Sequence, residues 1–147
     1  MKLSLAVMSV AMITLGCAAP APRPIAYGTE PCAHCHMTIT DARFAAQLVT
    51  RKGRVSVFDD PLCLATFYAA GTIPPAEVAL LFVNDFVTPD SMLDATTATY
   101  LRTDRVSTPM GGGIIALRSG LEADSVRTAL GGEVLHWPQL LALGEHH

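Results

Sequence analysis

The order strand, strand, helix, strand occurs twice along this chain, and this repetition constrains the fold more than any single motif does. In the first copy, residues 44–50 and 55–58 are rich in Phe, Val and Leu and flank a short polar turn, which predicts a β-hairpin. Asp60 and Pro61 predict a helix start, because a carboxylate caps the first turn and proline fits the first helical position. A continuous apolar run at 78–83 predicts a buried strand.

The second copy has the same elements with little sequence identity to the first, so the repeat is one of topology. Its two strands, helix, short strand and final helical turn are predicted at residues 98–101, 114–117, 121–130, 134–137 and 138–143. The expected fold class is therefore α+β, with two small ββαβ units in tandem at about 31–88 and 89–147.

The N-terminus predicts export. Residues 1–16 form a signal peptide, with a basic residue near the start and an apolar run shorter than the about 20 residues of a transmembrane helix. A small residue precedes Cys17 as in a bacterial lipobox, so Cys17 is expected to carry the lipid of a membrane anchor. Residues 17–30 would then be a flexible spacer. The alternative is ordinary cleavage a few residues later, which would leave a soluble exported protein.

The charge balance and the cysteine count narrow the possible functions. The 147-residue chain carries a formal net charge of −3 at pH 7 and has no basic stripe, so it lacks the attraction that drives nucleic-acid binding. With Cys17 acylated, three of the four cysteines remain, and an odd number cannot be fully paired into disulfides within one chain. At least one thiol is therefore expected to bind a metal or to react.

The densest chemistry lies at residues 32–37, with the sequence Cys-Ala-His-Cys-His-Met. Five of these six residues have side chains that bind soft or borderline metals. Cu(I) is soft and prefers thiolate and thioether sulfur, and it also accepts imidazole nitrogen. The segment therefore predicts a copper site, with Cys32, Cys35, Met37 and His36 as candidate ligands.

A further thioether, Met110, stands far along the chain between a proline and three glycines, an unusual place for a core methionine. Glycines let a loop approach another surface closely, so Met110 is a candidate ligand from a second loop. A site that draws ligands from two loops can stay partly open. An open site of low coordination suits a protein that must hand its metal on.

Covalent haem is a rival interpretation of the same residues. Cys32, Cys35 and His36 fit the Cys-x-x-Cys-His attachment motif, with Met110 or Met92 as a distal ligand. The context disfavours it, because small c-type cytochromes are helical and the segments that follow this motif are strand-like.

Three other interpretations of the cysteines stay open. Two Cys and two His could make a tetrahedral zinc site, although no second paired motif follows downstream. Cys32 and Cys35 could form a disulfide. A thiol oxidoreductase is also possible, although a thioredoxin-like Cys-x-x-Cys should open a helix after a strand, and this one precedes the first predicted strand.

Asp59 and Asp60 could be read as a catalytic carboxylate pair, but a helix cap explains at least Asp60 more simply. The sequence contains no nucleophile elbow, phosphate-binding loop or metalloprotease motif. The chain is therefore expected to be a binding protein and not an enzyme.

In order along the chain, the motifs resemble those of the NosL family, the nitrous oxide reductase accessory lipoproteins. They are the lipobox cysteine, Cys-x-x-Cys-His-Met, Ala-Ala-Gln, Phe-Asp-Asp with a following cysteine, two Asp-containing motifs, Thr-Pro-Met-Gly and a closing Gly-Gly-Glu-Val-Leu. They stand at Cys17 and at residues 32–37, 45–47, 58–63, 83–85, 94–95, 108–111 and 131–135. One segment departs from the family pattern, because Met92-Leu93 replaces a segment that usually contains an aromatic residue.

The resemblance implies a periplasmic, lipid-anchored Cu(I) chaperone built from two small ββαβ units. Members supply copper for the multicopper centres of nitrous oxide reductase and work beside an ABC-type complex, so these and the membrane are the expected partners. The family's copper ligands would fall on Cys35 and Met110, with Cys32, Met37 or His36 completing the set.

Overall fold

A computed structural model describes residues 19–146, so the predicted signal peptide and Cys17 lie outside the described residues. The strands are β1 (Ala46–Thr50), β2 (Val55–Phe58), β3 (Val78–Asn84), β4 (Met92–Asp94), β5 (Thr99–Arg102), β6 (Ile114–Leu117) and β7 (Glu133–Leu135). The α-helices are α1 (Pro61–Ala69), α2 (Gly120–Leu130) and α3 (Trp137–Gly144). Among residues 19–146, no helix has the length and apolar character needed to cross a membrane.

The strands form two antiparallel sheets that share one plan. The first sheet has the order β2-β1-β3-β4 and the second has the order β6-β5-β7. In both sheets the first strand of a unit lies between the second and the third, and the unit's helix comes between its second and third strands. The predicted α+β class with two ββαβ units is thus confirmed.

The structure departs from the sequence-based boundaries at a few places. No strand was predicted at β4, yet it pairs with β3 and places Leu93 opposite Val83. Ala42–Phe44 form a 3-10 helix, so Phe44 precedes the hairpin instead of starting it. Trp137, predicted as the end of a strand, begins α3, where the backbone N–H of His136 donates to Gln139 at 3.0 Å.

The core runs continuously through both units. Large side chains from each unit pack in one buried cluster, including Phe58, Leu62, Tyr100, Ile114 and Leu140. Burying a side chain of this size contributes about 1.5–3 kcal/mol. A smaller cluster, which contains Leu101, lies on the other face of β5. The two units therefore stabilise each other through shared burial.

Two close contacts hold the helices and sheets together. Helix α3 packs against α1, and a Cβ placed on Gly144 would be only 2.8 Å from the backbone nitrogen of Thr66. Between the sheets, fully buried Asp85 accepts a hydrogen bond of 2.9 Å from Arg118, and Phe86 N–H donates to the carbonyl of Ala116 at 2.9 Å.

Two glycines approach the backbone at the end of β5 closely, and one of them, Gly113, belongs to the loop at residues 108–113, here called the Met110 loop. Gly113 has φ +64°, and a Cβ there would lie 2.1 Å from the carbonyl oxygen of Thr103. A Cβ on Gly132 would lie 2.2 Å from the carbonyl oxygen of Arg102. Only glycine fits either position, because any side chain would overlap the strand backbone.

Candidate metal centre

Residues 32–37 form a tight turn, here called the cysteine turn. The backbone N–H of Cys32 donates to the Met37 carbonyl at 2.8 Å, and that of His36 donates to the Cys32 carbonyl at 3.1 Å. His36 adopts a positive φ of 63° within this turn. The N–H of Ala33 donates to the carbonyl of Val57 at 2.8 Å, which attaches the turn to the edge of β2.

The start of α1 supplies the other side of the site. Strand β2 ends at Phe58, Asp59 follows, and Asp60 caps the helix by accepting a hydrogen bond of 2.7 Å from Leu62 N–H. Cys63 lies in the first turn of the helix. Asp59 lies just before the helix cap and Cys63 just after it, and both side chains reach the cysteine turn.

Three thiols and one carboxylate meet here. The Sγ atoms of Cys32, Cys35 and Cys63 and one carboxylate oxygen of Asp59 all lie within 4.8 Å of one another. We call this set the thiol cluster. Cys32 and Cys63 are fully buried, Asp59 is buried, and Cys35 is half-buried. The Cys35 thiol donates to the two oxygens of Asp59 at 3.4 and 3.5 Å. All three thiols are free.

The three thiols of the cluster differ in the direction of their pKa shifts. A hydrogen bond from the Cys63 thiol, helped by backbone N–H groups of Cys35, Asp59 and His34, lowers the pKa of Cys32 to about 6 despite its burial. Burial, with the neighbouring Cys32, raises the pKa of Cys35 to about 11. The hydrogen bond to Cys32, with burial, raises the pKa of Cys63 as well. The cluster thus favours the thiolate at Cys32 and the protonated thiol at Cys35 and Cys63.

The sequence matches the model of a known protein family. The NosL family model matches residues 25–142. This chain belongs to the NosL family. The matched range contains the whole thiol cluster and the Met110 loop, and the predicted resemblance is confirmed.

A solved structure has the same fold as this NosL-family chain. It is the crystal structure of the copper chaperone NosL from Shewanella denitrificans, with a TM-score of 0.64 and 18% sequence identity. The match covers 83% of the present chain and 96% of the other. A comparison with curated protein sequences gave no significant match.

Of the predicted ligands in this NosL-family chain, the fold brings Cys32 and Cys35 into the cluster. Met37 is 46% exposed and His36 is exposed, so both lie on the solvent side of the cysteine turn. Met110 is half-buried, and its backbone N–H donates to Asp60 at 3.1 Å. The Met110 loop of the second unit thus meets the start of α1 at Asp60, the residue that follows Asp59.

Two members of the cluster were not among the predicted ligands. The odd cysteine count left the role of Cys63 open, and Asp59 was weighed only as half of a carboxylate pair. The structure assigns Asp60 to the helix cap, as predicted, and places Asp59 among the thiols. The sequence signal for both was the family motif at residues 58–63, Phe-Asp-Asp with a following cysteine.

The rival interpretations meet physical obstacles in the structure. A haem bonded to Cys32 would have to displace the groups that bury its sulfur and hydrogen-bond to it. The Cys-x-x-Cys segment is a turn and does not open a helix, unlike a thioredoxin-like site. A site of two Cys and two His would need exposed His36, whereas the fold gathers three sulfurs and a carboxylate. Such a sulfur-rich set suits a soft ion.

Proposed function

We propose that this NosL-family chain is a copper carrier that binds one Cu(I) at the thiol cluster and passes it to a partner protein. The observation that supports this best is the meeting of three thiol sulfurs and a carboxylate within 4.8 Å. Thiolate sulfur is the ligand that Cu(I) prefers, and three sulfurs are enough for a low coordination number.

The proposal assigns separate tasks to buried and exposed groups. Buried Cys32 and Cys63 form the inner side of the site, and half-buried Cys35 forms its outer edge. Met110 contributes a thioether from the second unit, and Met37 or His36 can bind copper from the solvent side. An incoming partner reaches these outer ligands first, so copper moves by ligand exchange without unfolding of the core.

We further propose that the copper is used to assemble nitrous oxide reductase. Membership of the NosL family supports this client, and the likeness to a protein described as a copper chaperone supports copper as the cargo. The predicted signal peptide and Cys17 support a lipid anchor on the periplasmic face of a bacterial membrane. The receiving partner is then the reductase or its ABC-type assembly complex, and the chain itself catalyses no reaction.

Anaerobic titration with Cu(I), in competition with a chromophoric Cu(I) chelator, tests the binding proposal. We expect one copper per chain, and much weaker binding in a Cys35→Ala, Met110→Leu double variant. Met92→Leu is a matched control, because Met92 is a partly exposed methionine that lies on β4, next to Gln47. Stoichiometry well below one, or unchanged affinity in the double variant, would contradict the proposal.

Separate measurements test the client and the anchor. Copper-loaded protein should restore the copper absorption bands of nitrous oxide reductase made without it, and a Cys35→Ala variant should not. Cys17→Ser should move the protein from the membrane fraction to the soluble fraction. If the reductase gains no copper in the first assay, direct transfer to the reductase is excluded, and membrane attachment of Cys17→Ser would exclude the anchor.

A further inference from the structure

Asp60 takes part in two hydrogen-bonded structures at once. One carboxylate oxygen accepts from the N–H of Leu62 at 2.7 Å and caps α1. The other accepts from the N–H of Met110 at 3.1 Å, and the side chain of Thr108 also interacts with this carboxylate. Asp60 is fully buried, so each of these bonds is made away from water.

A helix cap alone does not explain why this residue is an aspartate. Serine, threonine and asparagine cap helices about as well, and one oxygen is enough for the cap. The second oxygen is used only for the Met110 loop. A carboxylate can accept from two separate structures, and hydrogen bonds to a charged acceptor are stronger than neutral ones.

The Met110 loop has hydrogen bonds of its own, but none of them uses the backbone N–H of Met110. The Gly111 N–H donates to the Thr108 carbonyl at 2.9 Å, and Gly113 N–H donates to the Thr108 hydroxyl at 3.2 Å. The backbone N–H of Met110 at the centre of the turn donates to Asp60 instead. This bond joins the second unit to the residue that follows Asp59 of the thiol cluster.

We infer that Asp60 is a positioning residue that holds Met110 at the copper site, beyond its part in capping α1. The two consecutive aspartates then have different tasks. Asp59 contacts the thiols of the first unit, and Asp60 fixes the loop that brings the thioether from the second. This inference rests on the proposed function, because it gives Met110 a role at the metal.

Asp60→Ser is the informative variant, because serine keeps a cap for α1 but has a single short oxygen. Asp41→Ser is the matched control. Asp41 caps a 3-10 helix by accepting a hydrogen bond of 3.0 Å from Arg43 N–H, and it makes no hydrogen bond to the described residues of the Met110 loop. Both variants should show the wild-type circular dichroism spectrum. If Asp60→Ser does not fold, Asp60→Asn replaces it in every measurement.

The first measurement needs no metal. Amide hydrogen exchange at Met110, followed by NMR on the metal-free protein, should be about tenfold faster or more in Asp60→Ser and unchanged in Asp41→Ser, since tenfold corresponds to the loss of one hydrogen bond of ordinary strength. Unchanged exchange at Met110 would overturn the inference whether or not the protein binds copper.

The second measurement is the Cu(I) affinity of Asp60→Ser, Met110→Leu and the double variant. We expect each single change to weaken binding by about tenfold and the double variant to be no weaker than Met110→Leu alone, because both changes remove the same ligand. X-ray absorption should show one sulfur ligand fewer in Asp60→Ser, as in Met110→Leu.

The outcomes separate the inference from the proposed function. Additive losses in the double variant, or an unchanged sulfur count in Asp60→Ser, would overturn the positioning role while leaving Cu(I) binding by the thiols intact. If wild-type protein binds no Cu(I), the proposed function fails, and the role of Asp60 at the metal fails with it.

Discussion

The Sγ atoms of Cys63 and Cys32 lie within 4.8 Å of each other, although the two thiols come from different parts of the fold: the first turn of α1 and the cysteine turn. The Cys63 thiol is the largest cause of the low pKa of Cys32, about 6. The cluster therefore favours the thiolate at Cys32, and the thiolate is the form of cysteine that binds metal.

Cys63→Ala should raise the pKa of Cys32 from about 6 toward the ordinary value for a thiol, because a donor to the thiolate is lost. Thiolate absorbance near 240 nm, followed against pH, measures this. Cys35→Ala is the matched control, since it keeps the backbone N–H that also faces Cys32. A titration step that stays near pH 6 in Cys63→Ala would contradict the assignment.

Arg118→Met should destabilise the protein by about 2–3 kcal/mol, because it leaves the buried carboxylate of Asp85 without its cation. Urea unfolding measures the change. The double variant Asp85→Asn, Arg118→Met should lose less than Arg118→Met alone, since no buried charge is then left unpaired. Arg127→Met, which removes an exposed ion pair, should cost under about 1 kcal/mol. Equal losses in the two arginine variants would refute the argument.

Gly113→Ala should cost about 3 kcal/mol or more, because its Cβ would lie 2.1 Å from the Thr103 carbonyl oxygen in addition to the strained φ. Gly111→Ala separates the two effects. Gly111 has φ +69° with no atom near the added Cβ, so strain alone should cost about 1–2 kcal/mol. Thermal unfolding of both variants gives the comparison, and similar melting temperatures would show that the close approach does not matter.

Tyr100→Phe should change how stability depends on alkaline pH. Burial raises the pKa of Tyr100, so the folded state keeps a proton that the unfolded chain loses above about pH 10. The contribution of Tyr100 is thus complete below about pH 10 and declines as the pH rises further. Urea unfolding between pH 8 and 11 should give a shallower decline in Tyr100→Phe than in wild type, with half-buried Tyr68→Phe as the control.

At neutral pH the same variant should lose about 1 kcal/mol, because the Tyr100 hydroxyl donates to the carbonyl of Ala95 at 2.6 Å. An alkaline decline of equal steepness in wild type and Tyr100→Phe would mean that other groups dominate.

The sequence predicted the elements that have strong local signals. Asp60 and Pro61 mark the start of α1 by capping chemistry, which acts within a few residues, and the apolar run of β3 marks a buried strand. Strand β4 escaped prediction because it has only three residues and its identity depends on pairing with β3. Local patterns carry no information about such pairing.

The residues of the candidate site also differ in whether local sequence could identify them. The cysteine turn is a contiguous segment, so its ligands could be found by residue type and spacing. Asp59 and Cys63 could not be assigned in this way, because their role depends on how β2 and α1 pack against that turn. Met110 stays a predicted ligand, and its loop is joined to Asp60 at the start of α1 by a hydrogen bond between the two units.

Helix α3 belongs to the second unit, and it packs against α1, the helix that carries Cys63. All four residues of the thiol cluster come from the first unit, yet one of the elements that supplies them is packed by the second. The cluster is therefore not a portable motif, because residues 32–63 alone would lack the helix that packs against α1.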